Sequence, residues 1–140
     1  MYNIRLRVAN LIKKYDTCDP YRLAKYLKID VYVLELPKSI RGFFVRPLKR
    51  KVIVLNANMS ETEKLVALCH ELGHVRLHKG YGMLMGRYIR NTKQESEANE
   101  FALHLLSYSR DIDTTALKPI LDQRRPDPYF IHNLLTELAE

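Results

Sequence analysis

The sequence predicts an α+β fold, in which a small three-stranded sheet, antiparallel or mixed, packs against one long helix and is joined by further helices. Three observations predict it. β-branched and aromatic residues gather into three short runs between residues 31 and 55. Ser60 and Glu63 form a capping-box signature ahead of an apolar-periodic stretch that lasts to about His78. Helical patterns flank this middle region on both sides.

Taken in order, residues 4–15 read as a first helix, with Leu6, Ala9, Asn10 and Ile12 to Lys13 near helical spacing and a modest contrast between faces, and residues 16–19 break it. Asp19 and Pro20 then supply an N-cap side chain and the residue best suited to the first helical position, with Leu23, Ala24 and Leu27 as a buried face. Residues 31–36 suggest a strand ended by Pro37, and residues 42–45 and 51–55 suggest two more around a turn at 47–50. A loop at 56–60 leads into the long helix. Gly80, Gly82 and Gly86 punctuate the next loop, and a further helix is predicted from Thr92 or Lys93 to Tyr108. The tail carries Pro119, Pro126 and Pro128, with a last helix from Tyr129 onward. With no repeat, low-complexity stretch or linker, residues 1–140 are expected to form a single domain.

Apolar residues at 46% and charged residues at 28% describe a globular chain and exclude a disordered or fibrous one. No apolar run approaches the roughly 18 residues that would suggest a membrane span. The first ten residues set Arg5 and Arg7 among Ile4, Leu6 and Val8, which is unlike a secretory signal. Only two cysteines occur, Cys18 and Cys69, so a disulfide framework is not expected and the reduced cytoplasm is the expected location. The net charge of +7 would suit nucleic acid, an acidic protein or a solvated basic exterior. Local groups at Lys49-Arg50-Lys51 and Arg124-Arg125 do not amount to a basic run interleaved with aromatics, which favours the solvated exterior.

The chemistry concentrates in HELGH at residues 70–74. Helical residues four apart share one side, so the imidazoles of His70 and His74 can reach one tetrahedral ion while Glu71 stands beside its open position. At about 100° per residue, Leu65, Leu68, Leu72 and Val75 form a stripe roughly opposite, giving the helix a core face and a chemical face. Arg76 falls near that stripe, at the helix end. Gly73 costs a helix interior about 1 kcal/mol relative to Ala, which implies close approach of another element. An amphipathic helix that carries two His and a Glu by chance would read the same over five residues.

A zinc site needs a third protein ligand and one open position. His78 extends the histidine row, but three ligands along one straight helix span about 12 Å, too far for a single ion, so His78 is expected to support the site or to lie on the surface. In ESEANEFALHLL, Glu97, Glu100, Phe101, His104 and Tyr108 are expected on one helix face, with Leu103 and Leu106 pointing elsewhere. Glu97 lies 23 positions beyond His74, enough for a loop and a returning helix. Spacing alone does not choose among Glu97, Glu100 and His104. Cys69 points away from both histidines and reads as a small core residue.

HELGHVRLH at residues 70–78 together with ESEANEFA at 95–102 resembles the ImmA/IrrE family of metallopeptidases, small zincin-like proteins of phages, mobile elements and bacterial chromosomes. Weaker likeness covers CDPYRLAKYLKIDV, RGFFV and KVIVLN. The resemblance implies a zincin-like fold and a zinc-dependent endopeptidase. It also implies that the Glu directly before the Ala-Asn pair, Glu97, is the third zinc ligand. The implied substrate is a helix-turn-helix repressor of a phage or mobile element, cleaved to relieve repression. After Leu106, where relatives often have a Met-Pro step, this chain has Ser107-Tyr108-Ser109, a departure that leaves the metal site untouched and bears on the shape of the following substrate-binding region; roughly the last 30 residues find no secure match.

On this reading zinc would acidify a water toward a pKa of about 7 and polarise the scissile carbonyl. Glu71 would take the water proton and pass it to the departing amine. His104, Tyr81 and Tyr88 are candidate stabilisers of the oxyanion, each equally readable as packing or surface. The strand at 42–45 could be an edge to which an extended substrate adds, with Phe43 or Phe44 in the core as the plainer reading. Two rivals stand beside the peptidase: a zinc-bearing regulator that docks on a repressor without cutting it, and a basic DNA-binding module in which LAKYLKI at residues 23–29 begins a helix-turn-helix. Against the latter, a strand pattern follows at once.

Overall fold

The structure, a computed structural model, describes residues 3–78 and 92–108. Helices α1 (Ile4–Tyr15) and α2 (Pro20–Tyr26) precede strands β1 (Ile29–Leu34), β2 (Gly42–Val45) and β3 (Lys51–Asn56), and helices α3 (Glu61–Leu77) and α4 (Thr92–Leu106) follow. The α+β expectation is met.

Each of the first three helices starts on a side-chain cap that satisfies a backbone N–H left over by the first turn. Asn3 accepts from the Leu6 N–H at 3.1 Å. Asp19 accepts from the Tyr21 N–H at 3.0 Å, with Pro20 as the first helical residue. Ser60 and Glu63 complete a capping box, the Glu63 N–H donating to the Ser60 hydroxyl at 3.1 Å and the Ser60 N–H donating to the Glu63 carboxylate at 3.4 Å.

The sheet is mixed, in the order β1-β3-β2. β1 runs parallel to β3 from the Ile29↔Lys51 pair to Leu34↔Asn56, and β2 runs antiparallel to β3 from Gly42↔Leu55 to Val45↔Val52. Alternation divides the side chains between two faces. Ile29, Phe44, Ile53 and Leu55 join the main core under α3, whereas Phe43, Val45, Val52 and Val54 pack with Leu36 and Ile40 on the reverse face. Phe43 and Phe44 are therefore both core residues, on opposite sides.

β1 begins and ends two residues earlier than residues 31–36. The early end follows from Asn56, which is 1% exposed and binds the 35–41 connection. Its Oδ1 accepts from the Leu36 N–H at 3.2 Å and the Asn58 N–H at 2.9 Å, and its Nδ2 donates to the carbonyls of Pro37 at 3.0 Å and Ile40 at 2.8 Å. Leu36 thus spends its N–H on a side chain instead of the strand ladder.

α3 lies between the sheet and α4, α2 packs on β1 and α3, and α1 packs on α4. From Val66 to His74 every residue of α3 is buried. Leu68 and Leu72 face the core as expected, and the histidine side of α3 is covered by α4. Arg76 is exposed near the helix end. The buried side of α4 consists of Ala98, Phe101, Ala102, Leu105 and Leu106, so Phe101 is separated from the exposed Glu100 and Tyr108, with which it was expected to share a face. No described helix is long and apolar enough to cross a membrane. The glycine-punctuated loop, the prolines of the tail and the helix expected from Tyr129 lie outside the described residues.

Candidate metal centre

His70 and His74 stand one turn apart on α3, and the packing of α4 brings Glu95 against both. The Nε2 atoms of the two imidazoles are 3.2 Å apart. Glu95 Oε2 lies 3.0 Å from His70 Nε2, and Glu95 Oε1 lies 3.2 Å from His74 Nε2. A tetrahedral zinc with ligand bonds of about 2.0–2.1 Å has ligand-to-ligand edges of about 3.3 Å, so these spacings fit such an ion. Two imidazoles and one carboxylate are also a suitable donor set for it. Among the described residues, His70, His74 and Glu95 are the group able to hold a metal ion, with ligand atoms all within 4.8 Å of one another.

The approach of the two helices depends on small residues. A Cβ at Gly73 would sit 3.0 Å from Phe101 Cβ and 3.1 Å from both Cα and the carbonyl oxygen of Ala98. The close approach expected at Gly73 is therefore present, and its partner is the helix that carries the carboxylates.

Burial governs the electrostatics. His74 is fully buried and Glu71 is 1% exposed. Loss of hydration pushes the His74 pKa down, and nearby His70 adds to this, against the opposing pull of Glu95 and Glu71. The neutral imidazole that results is the form a metal ion takes. Cys69 is wholly buried and burial drives its thiol pKa up, as suits an inert core residue.

The expectation that Glu97 completes the site departs from this geometry. Glu97 Oε1 lies 3.1 Å from His78 Nε2, and it is Glu95 that touches His70 and His74. Helical rotation explains the difference: at about 100° per residue, Glu95 and Glu97 flank the Ala98 contact line on opposite sides and meet different parts of the histidine row. His78, 4% exposed, is not a surface residue, and its Nδ1 lies 3.0 Å from His74 Nδ1. His104 and Glu100 are drawn to each other, 3.6 Å apart, on the outer side of α4. Tyr81 and Tyr88 lie outside the described residues. Glu95 is the carboxylate beside both imidazoles that the spacing arguments did not consider; Ala98, the small residue that meets Gly73, was the signal that could have set the helix phase and exposed it.

The family described as Peptidase_M78, IrrE N-terminal-like domain, matches residues 24–136, which is most of the chain. The chain belongs to that family. As a Peptidase_M78 member it also resembles the "Uncharacterized immunity region protein 2" of Bacillus phage phi105, at 40% identity over 106 residues, 74% of this chain and 67% of the relative. No solved structure gives a significant match. Family membership supports a peptidase, and the Peptidase_M78 region contains both helices of the histidine and carboxylate cluster.

Proposed function

We propose that this Peptidase_M78 protein is a zinc-dependent endopeptidase that cleaves a helix-turn-helix repressor of a phage or mobile element. The observation that carries the catalytic part is the clustering of His70, His74 and Glu95 at tetrahedral spacing beside Glu71. Zinc held there would supply Lewis-acid activation of water and of the scissile carbonyl. Glu71, between the two histidines in sequence and buried with them, is suited to take a proton from the attacking water and return it to the leaving amine. Burial would strengthen its interaction with the developing charge.

Two carboxylates have a claim on the third ligand position. The contacts favour Glu95. The resemblance read from the sequence alone favours Glu97, which directly precedes Ala98 and Asn99. Zinc analysis separates them: on the Glu95 reading, Glu95→Ala loses the ion and Glu97→Ala retains it, and on the Glu97 reading the outcomes exchange.

The repressor part is supported by family membership and by the phage immunity-region relative. β2, at one edge of the sheet and packed on α3, is the natural place for an extended substrate segment to add. The test is cleavage of a purified helix-turn-helix repressor from a phage immunity region. Wild type is expected to cut it, and Glu71→Gln to bind zinc equally but lose at least about 100-fold in rate, the usual worth of a general base. Unchanged derepression by Glu71→Gln at full zinc loading would favour a regulator that docks without cutting.

A further inference from the structure

His78 is too far along α3 to share the ion with both His70 and His74, yet it is buried and held at both ring nitrogens. Its Nε2 lies 3.1 Å from Glu97 Oε1, and its Nδ1 lies 3.0 Å from His74 Nδ1. An ionised carboxylate can only accept, so the proton of this contact sits on His78 Nε2. In a neutral ring that leaves His78 Nδ1 as an acceptor, and the proton of the second contact then belongs to His74 Nδ1. The lone pair of His74 is thereby placed on Nε2, which is 3.2 Å from His70 Nε2 and 3.2 Å from Glu95 Oε1. His70 Nε2, 3.0 Å from Glu95 Oε2, can donate to either neighbour, and a cation held among the three atoms would be met by the His74 lone pair.

We infer that His78 is a positioning residue: oriented by Glu97, it fixes His74 as the Nδ1–H tautomer and aims its Nε2 lone pair into the metal cluster. The inference deepens the proposed function and rests on its reading of His74 as a metal ligand. It gives Glu97 a role distinct from coordination, acting through two imidazoles in series. Partners of this kind fix the tautomer and ring orientation of ligating histidines, and their loss typically weakens metal binding about 10–100-fold.

Long-range proton–nitrogen NMR of the metal-free wild-type protein reads the tautomers directly. His74 is expected to carry its proton on Nδ1 and His78 on Nε2; a proton on His74 Nε2, or a doubly protonated His78, would overturn the inference. Titration with zinc alone, in competition with a chelating dye, gives the second readout. His78→Ala is expected to bind about 10–100-fold more weakly than wild type, and His78→Gln, whose side-chain carbonyl can accept from His74 Nδ1–H, to recover part of the loss. Zinc binding by folded His78→Ala as tight as wild type would also overturn it. A wild-type protein that shows the expected tautomers but takes up no zinc would count against the metallopeptidase reading while supporting the hydrogen-bond chain, so the two failures are distinguishable.

Discussion

Gly73 shows how a single missing side chain sets the geometry of the centre. The Ala98 backbone and Phe101 occupy the space a Cβ would need, so Gly73→Ala has to separate α3 from α4 by a few tenths of an ångström. Overpacking of a close contact costs about 1–3 kcal/mol, and the better helix propensity of Ala returns about 1 kcal/mol. Net destabilisation of up to about 2 kcal/mol is expected in chemical denaturation. The cysteines offer an independent check on burial. Cys69 is wholly buried with its thiol pKa raised, and Cys18 is partly accessible. Native protein should therefore react with iodoacetamide at Cys18 alone, with Cys69 labelled only after unfolding; equal labelling of both in native protein would contradict the central position of α3.

At the scale of elements, the parts most legible in the sequence were those governed by local chemistry. Asp19-Pro20 and Ser60 with Glu63 marked helix starts because a cap depends on residues within one turn. Ser60→Ala should cost about 1 kcal/mol of stability by thermal or chemical unfolding. What the sequence left hidden depends on contacts between distant residues. Asn56 reads as an ordinary loop residue, yet it satisfies the N–H of Leu36 and the carbonyls of Pro37 and Ile40 some 16 to 20 positions away, and so decides where β1 stops. Asn56→Ala would leave these groups buried without it, and a loss of roughly 2–4 kcal/mol is expected from denaturant titration. The choice between Glu95 and Glu97 was hidden for a similar reason. Both belong to one motif, and only the rotation of α4 about its contact with Gly73 determines which carboxylate meets His70 and His74.

For the molecule as a whole, three layers converge on one buried polar cluster: the sheet supports α3 from one side, α4 closes it from the other, and α1 backs α4. A cluster of imidazoles and carboxylates beneath packed helices is unfavourable to bury unless its charges and lone pairs are matched, so an ion bound there should stabilise the fold. At about 1,000 times its Kd, free zinc should add about 4 kcal/mol, read as a higher melting temperature that a chelator reverses. The helix-turn-helix alternative is weakened at the same scale, since α2 has only seven residues and leads directly into β1 instead of a recognition helix. The most direct measurement is the zinc content of purified wild type beside His74→Ala and Glu95→Ala. One equivalent in wild type and none in either variant is expected; equal zinc in all three, or none in wild type after incubation with the ion, would contradict a metal centre built where α3 meets α4.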